Sequence, residues 1–313
     1  MTPFDRRAVK HTAMQTLAET ESNHKKLVLI HTGVMLALTF ALMLIDLLLS
    51  QKISATGGLG GISTRSTLAT IQSALRLAQL AIIPFWQAGY TFLTLQLSKK
   101  EHVSFKTLTE GFMRLGPVLR LLLLQLILYA IIGIACANIS STIFMATPWA
   151  KPLFEIAEAM RQGAEYTEEM LLAATAEYAL PLTIITMVIF LGVCAPFFYR
   201  YRLAMYSLLD DDQTMALAAM RNSRILTKGH RMAIFKLDLS FWWFYTCELL
   251  VAALGFLDLI LPSLGIALPL PQAAVTFLCF GIYAAAQLAL HYWRKNEINV
   301  TYAQVYNTLM ETE

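Results

Sequence analysis

The sequence predicts an all-α protein, a polytopic bundle of about six transmembrane helices with amphipathic helices at its periphery. Of its 313 residues, 57% are hydrophobic and 14% are charged, whereas soluble domains carry about 25% charged residues. Apolar stretches of about 20 residues, the length that crosses a hydrocarbon core roughly 30 Å thick, recur along the chain. Lysine and arginine are abundant in every second segment that joins these stretches and scarce in the segments between. These three observations together favour a membrane fold.

Six stretches qualify as spans, and each is expected to be an α-helix because backbone polar groups must be satisfied internally in lipid. The stretches are 27–50, 77–97, 118–137, 180–199, 232–260 and 273–291. Prolines within the second and the fourth are expected to kink those helices. The chain therefore divides into a cytoplasmic amphipathic segment (1–26), a transmembrane domain (27–293) and a cytoplasmic tail (294–313).

Positive charges give the orientation of these spans. Cytoplasmic loops retain lysine and arginine, and all but five of the 24 such residues fall on one side of the predicted topology. The five exceptions are Lys52, Arg65, Arg76, Lys151 and Arg161. An odd number of spans would break this alternation. We therefore expect six spans in a bacterial-type plasma membrane, with both termini in the cytoplasm.

Two further patterns concern the segments between spans. Apolar residues at helical spacing, with glutamates among them, predict an acidic amphipathic helix within 151–174 on the outer surface. Its acidic face is either solvated or binds a partner. A short amphipathic segment and a basic turn precede a span three times, at 23–27, 116–120 and 229–232. This pattern is either an internal repeat of helical hairpins, the third closed by spans six and one, or a consequence of topology alone.

Glu248 is the main candidate for an intramembrane polar site. It lies near the middle of the fifth predicted span, and a charge at the bilayer centre costs roughly 2.5–3.5 kcal/mol on insertion scales. Gln125 and Gln287 are candidate partners on other spans, and Asp238 lies about two turns inside the cytoplasmic end of the same span. The site is either functional or a polar contact that holds helices together.

Other charged residues receive structural interpretations. The basic turns containing His24 and Lys25, and Lys228, His230 and Arg231, precede spans one and five and are expected to face anionic lipid headgroups.

Two acidic groups lie elsewhere. Residues 210–212 are three aspartates before a helical run, so helix capping and dipole compensation are expected of them. Arg76 is expected either to pair with Asp46 or to lie in the membrane interface.

Catalytic motifs are missing from the sequence. No Ser/His/Asp set, HExxH or P-loop pattern is present, and the four cysteines each lie within apolar runs, as small buried hydrophobes do. The net charge of +3 is too small to indicate nucleic-acid binding. We therefore expect no enzyme activity, catalytic residue, metal or cofactor.

Residues 196–262 carry a recognisable series of motifs. In order they are Tyr199, Tyr201 and Tyr206, Asp210, the alanine-rich run 216–223, Thr227-Lys228-Gly229-His230-Arg231, and Leu239-Ser240-Phe241 followed by two tryptophans. This series resembles the bacterial integral membrane family called domain of unknown function 975, and residues 84–123 resemble its earlier half. The resemblance implies a multi-span membrane fold and brings no catalytic residues with it.

Two functions follow as hypotheses. The first is a non-enzymatic membrane component that binds lipid, peptide or protein, favoured by the basic cytoplasmic face. The second is a secondary transporter or channel that uses Glu248 at a midplane site, between spans kinked by proline.

Overall fold

The computed structural model describes residues 4–20, 23–55, 61–162, 168–263 and 271–312, and within these ranges all regular structure is helical. The predicted all-α fold is therefore confirmed. The helices are α1 (Arg6–Glu19), α2 (His24–Ala55), α3 (Gly61–Ser98), α4 (Phe105–Leu108), α5 (Glu110–Met113), α6 (Leu115–Met145), α7 (Lys151–Arg161), α8 (Glu168–Tyr201), α9 (Ala204–Asp210), α10 (Ala216–Leu226), α11 (Arg231–Leu239), α12 (Trp242–Leu254), α13 (Leu257–Ser263), α14 (Gln272–Leu290) and α15 (Asn296–Glu311). A π-helical turn, His291–Lys295, joins α14 to α15.

The chain forms two compact units. Unit 1 comprises Met1–Leu119 and Leu203–Glu313, and unit 2 comprises Arg120–Arg202. The helix α7 lies in unit 2, in the region where an acidic amphipathic helix is predicted, and residues 163–167 of that region lie outside the described residues.

Four helical segments in the described part of the chain are long and apolar enough to cross a membrane. They are His24–Leu49, Leu115–Met145, Ala179–Asp210 and Ala273–Glu311. A fifth span results if α11 and α12, which meet at a bend of 56°, are taken together. Five of the six predicted spans thus have a counterpart, and the stretch 77–97 has none by this measure.

The stretch 77–97 does not qualify as a span because of the composition and burial of α3. Its second half contains two glutamines and a tryptophan, which lower its hydropathy. One face of this half, with Tyr90, Leu93 and Leu97 fully buried, packs in the core of unit 1. Residues that face other protein elements need not be as apolar as residues that face lipid.

The helix α3 runs antiparallel to α2. Arg76 of α3 pairs with Asp46 of α2, with 2.8 Å between Nη2 and Oδ2, so the pairing is confirmed. Further along, the indole Nε1 of Trp86 donates to the carbonyl oxygen of His31 at 3.1 Å. The two contact points on α2 are about 22 Å apart at 1.5 Å rise per residue. The two helices therefore accompany each other over most of a bilayer thickness.

The terminal helices complete the core of unit 1. Asp5 caps α1 by accepting from the backbone N–H of Arg7 at 2.8 Å. Along α1 the buried residues are spaced as on one helix face: Val9, Ala13, Thr16 and Leu17. This face packs against α15 and α3. The segments that flank the predicted transmembrane domain thus pack against each other.

Candidate functional site

A buried polar cluster surrounds the π-helical turn at the end of α14. A π turn carries one residue more than an α-helical turn, and such turns occur frequently at functional sites. The first residue of the turn, His291, is only 5% exposed. Its ring reaches side chains from α2, α12, α14 and the turn itself.

Each ring nitrogen of His291 has two polar neighbours. Nε2 lies 3.1 Å from Oε1 of Glu248 and 2.7 Å from the amide nitrogen of Gln287. Nδ1 lies 2.8 Å from the hydroxyl of Thr32 and 3.4 Å from Nζ of Lys295. An imidazole therefore stands between a carboxylate and an ammonium group. The opposite charges of these two groups offset each other, which lowers the cost of burying either.

An aromatic wall closes one side of the cluster. The His31 ring stacks on Tyr90, with ring centroids 4.3 Å apart, and lies parallel to Trp86 at 5.8 Å. The Tyr90 hydroxyl donates to Oδ1 of Asn296 at 2.6 Å. Nζ of Lys295 lies 5.2 Å from the centroid of the Tyr90 ring, within the range of a cation–π contact. This wall covers the side of the cluster that faces α3.

The residues predicted to accompany Glu248 lie in different parts of the structure. Gln287 reaches the cluster, where it contacts His291 beside the carboxylate. Gln125 lies on the part of α6 that belongs to unit 2. Asp238 makes a separate site, in which its carboxylate accepts a short hydrogen bond from Tyr302 and one of 3.3 Å from Tyr245.

Sequence reasoning missed His291 and Lys295. A signal for both was present, because Gln287, His291 and Lys295 recur every four residues and so share one helix face. The prediction ended the sixth span at 291 and assigned 294 onward to a cytoplasmic tail. In the structure the helix continues, and its polar residues at this point face the protein interior.

A cleft of about 540 Å³ opens beside the cluster. Its lining comes from α1, the start of α2 and the residues around the π turn, and includes Asn23, His24, Lys25, Tyr292, Trp293 and Glu297. Nζ of Lys25 lies 5.2 Å from the centroid of the Tyr292 ring. The cleft thus combines a cationic group with exposed aromatic rings at the junction of two candidate spans.

The two predicted basic turns have different surroundings. The first, with His24 and Lys25, lines the cleft. In the second, Gly229 adopts φ +84°, a backbone conformation that residues other than glycine rarely adopt. The His230 ring is buried, 6.2 Å from the Phe4 ring, while Lys228 is exposed. Arg231 begins α11 beside it.

The prediction that aspartates 210–212 cap the next helix is wrong. The N-cap of α10 is Met215, with no side-chain hydrogen bond, because three residues, 213–215, separate the last of the aspartates from the first residue of α10. Asp210 instead forms an ion pair with Lys99, and Asp212 forms one of 2.5 Å with Arg114. Asp211 accepts from the backbone N–H of residue 213 and the hydroxyl of residue 214, and these bonds lower the pKa of its carboxyl group.

Comparison with known proteins identifies one family. The family model described as Protein of unknown function (DUF975) matches residues 1–311, which confirms the resemblance seen in the motifs. No curated protein and no solved structure matches the chain.

Proposed function

Because this chain belongs to the family Protein of unknown function (DUF975), whose description carries no activity, we propose a function from the structure. The chain is an integral membrane protein of the plasma membrane that binds the headgroup of an anionic phospholipid in the cleft beside Lys25. The cleft itself is the observation that carries the proposal. It lies at the junction of the candidate spans His24–Leu49 and Ala273–Glu311.

Exposed apolar side chains support a membrane location. Leu126 on α6, Val188 on α8 and Leu249 on α12 are 64%, 65% and 71% exposed. Each large apolar side chain left in water forgoes roughly 1.5–3 kcal/mol of transfer free energy. Other large apolar side chains are also exposed along the long helices. Contact with lipid in place of water removes this cost.

We propose that α3 is also a span, which gives six in total. It lies antiparallel to α2 over about 22 Å through the contacts of Arg76 and Trp86. A chain that crosses along α2 therefore returns along α3. Six spans leave both termini in the cytoplasm, as the positive charges favour. Reporter fusions at each terminus test this, and labelling of Lys228 from outside intact cells would contradict it.

The chemistry of the cleft fits an anionic headgroup. Lys25 supplies a positive charge, and Asn23 and His24 supply polar groups beside it. The carboxylate of Glu297, which also lines the cleft, is offset by its ion pair with Arg294. Tyr292 and Trp293 are the residue types that concentrate at membrane interfaces, where their rings lie at headgroup level. The lipid chains then extend along the apolar surfaces of α2 and α14. The proposed role is binding, and no catalytic step is part of it.

Lipid retention measures the proposal directly. The protein is purified in detergent, incubated with phosphatidylglycerol or phosphatidylcholine, and examined by native mass spectrometry. A lysine near an anionic surface contributes about 1 kcal/mol, so Lys25→Gln should lower retention of phosphatidylglycerol about fivefold. The matched control is Lys26→Gln, since Lys26 is also exposed and does not line the cleft. Equal losses in both variants, or no preference for the anionic lipid, would refute headgroup binding in the cleft.

A second candidate function is transport. The observation in its favour is the partly buried contact between Glu248 and His291, next to a π turn within a candidate span. Ionisable residues in this position commonly lie on substrate or proton pathways. If the function is transport, Glu248→Gln should abolish dissipation of a pH gradient in proteoliposomes and leave thermal stability nearly unchanged. A large loss of stability, with no flux in the parent protein, would support a structural role for the contact.

A further inference from the structure

Three proton-bearing groups form a continuous series in the polar cluster. Nζ of Lys295 lies 3.4 Å from Nδ1 of His291, and Nε2 of the same ring lies 3.1 Å from Oε1 of Glu248. We propose that these residues form a proton relay, in which His291 passes a proton between Lys295 and Glu248 by changing its tautomer. The inference goes beyond headgroup binding, and it concerns contacts within unit 1 alone.

The direction of the hydrogen bonds gives the starting state. An ammonium group has only donors, so Nδ1 of His291 presents its lone pair to Lys295. The ring proton then lies on Nε2 and is donated to the carboxylate of Glu248. The cluster begins with a positive lysine, a neutral imidazole and a negative glutamate.

The transfer step is balanced. One N–H bond of Lys295 breaks as an N–H bond forms at Nδ1 of His291, and the N–H bond at Nε2 breaks as an O–H bond forms on Glu248. The product holds a neutral amine, a neutral imidazole of the other tautomer and a neutral carboxylic acid. The net charge does not change, and no oxidant, reductant or further reactant takes part.

The remaining neighbours of the ring support both tautomers. The hydroxyl of Thr32, 2.8 Å from Nδ1, donates to that nitrogen in the first state and accepts from it in the second. The side-chain amide of Gln287 lies beside Nε2. Its NH₂ group, 2.7 Å from Nε2 as placed, donates to the bare nitrogen of the second state, and after a flip its oxygen accepts a hydrogen bond from the Nε2–H group of the first state. Each ring nitrogen therefore keeps a hydrogen bond in either state.

The surroundings bring the two states close in energy. Burial penalises the charged forms of both end groups, and the transfer replaces two charges by none. The Tyr90 ring beside Lys295 and the mutual attraction of the end groups oppose this effect. His31 of α2 and Tyr283 of α14 are the other titratable groups that face the cluster, in addition to Tyr90 of α3.

Both ends of the relay are partly exposed, and its centre is buried. The side chain of Glu248 is 35% exposed and that of His291 is 6% exposed. Lys295, which lies against the aromatic wall, is half-buried. Protons therefore exchange with the surroundings at the two ends, and His291 passes them between the ends.

Nitrogen-15 NMR of histidine-labelled protein in lipid nanodiscs tests the relay. Both neutral tautomers of His291, assigned by loss of its signals in His291→Asn, are expected in the parent protein. Lys295→Gln keeps a donor towards Nδ1 but removes the transferable proton, and Glu248→Gln keeps an acceptor at Nε2 but cannot take the proton. Each variant should lose the Nδ1–H tautomer and retain only the Nε2–H form. His102, which is exposed, serves as the internal control and should be unaffected.

Two results would overturn the relay. One is a single tautomer of His291 in the parent protein at every pH, and the other is the same mixture of tautomers in the parent and in Lys295→Gln. The lysine variant decides the question if Glu248→Gln does not fold. The cleft variant Lys25→Gln should leave the His291 tautomers unchanged, so failure of headgroup binding and failure of the relay are separately visible.

Discussion

Substituting Gly89 by alanine should destabilise the protein because α3 touches the α4–α5 segment through its backbone. A Cβ atom at position 89 would lie 1.9 Å from the carbonyl oxygen of Leu108 and 2.7 Å from its carbonyl carbon. Position 111 faces the same contact, where a Cβ atom would lie 2.0 Å from the carbonyl oxygen of Phe85. The obstructing atoms are backbone atoms, so no side chain can rotate out of the way.

The magnitude follows from the clash and from helix propensity. Overpacking of a well-packed core costs about 1–3 kcal/mol, and occasionally more, and a backbone clash of this size belongs at or above the top of that range. Alanine itself favours a helix over glycine by about 1 kcal/mol. We therefore expect Gly89→Ala to lower the free energy of unfolding by at least about 2 kcal/mol.

Gly33 supplies the matched control. It lies inside α2, and a Cβ atom there would have no neighbour within 4 Å among the described residues. Gly33→Ala should therefore stabilise the helix by about 0.5–1 kcal/mol. Equilibrium unfolding of the detergent-solubilised protein, followed by circular dichroism, measures both variants. Equal changes in the two, or a stable Gly89→Ala, would show that α3 and the α4–α5 segment are not in backbone contact.

Three further outcomes follow from single contacts in unit 1. Arg114→Ala should lower the free energy of unfolding by about 2–3 kcal/mol, because it removes the contacts of a partly buried guanidinium with two carboxylates and a carbonyl oxygen. The control is Lys151→Ala, which removes an exposed ion pair and should cost less than about 0.5 kcal/mol. Tyr90→Phe leaves a buried amide oxygen without its 2.6 Å donor and should cost about 1–3 kcal/mol in the same unfolding assay. The hydrogen bond from Lys100 lowers the pKa of the Glu19 carboxyl group in the folded state. The pair therefore stabilises the fold fully at pH values above the unfolded-state pKa of this group. The stabilisation is lost as the pH falls through the lower folded-state pKa. Lys100→Gln should therefore flatten the acid limb of the stability curve, and an unchanged limb would exclude that contribution.

The sequence predicts most of the long helices because each of them is a long continuous apolar run. The helices α2, α6, α8 and α14 present apolar side chains along their length, and each stands out as a continuous run. The helix α3 stands out less because half of it faces protein. Its orientation instead follows from tertiary contacts such as that between Asp46 and Arg76, which the sequence offers only as one of two alternatives.

The candidate site is predicted in part, for a related reason. Glu248 attracts notice because a carboxylate within an apolar run is costly and has to be explained. His291 and Lys295 lie where hydropathy falls, and charged residues at the end of a span are ordinarily assigned to the membrane interface. Whether such residues point outward or inward depends on the helix that follows. Here α15 buries Ile298, Val300 and their neighbours in unit 1, and this burial keeps the helix continuous past the apparent end of the span.

The π turn contributes residues both to the cleft and to the proposed relay. Its first and last residues, His291 and Lys295, face the polar cluster, while Tyr292 and Trp293 between them are exposed and line the cleft. Trp293 also packs on Trp243 of α12, with ring centroids 5.5 Å apart, and Glu248 is on the same helix. A side chain in the cleft and the carboxylate at the end of the relay are thus anchored to the same helix α12. The proposed headgroup site and the proposed relay therefore share α12 as a structural support, although their chemistry is independent.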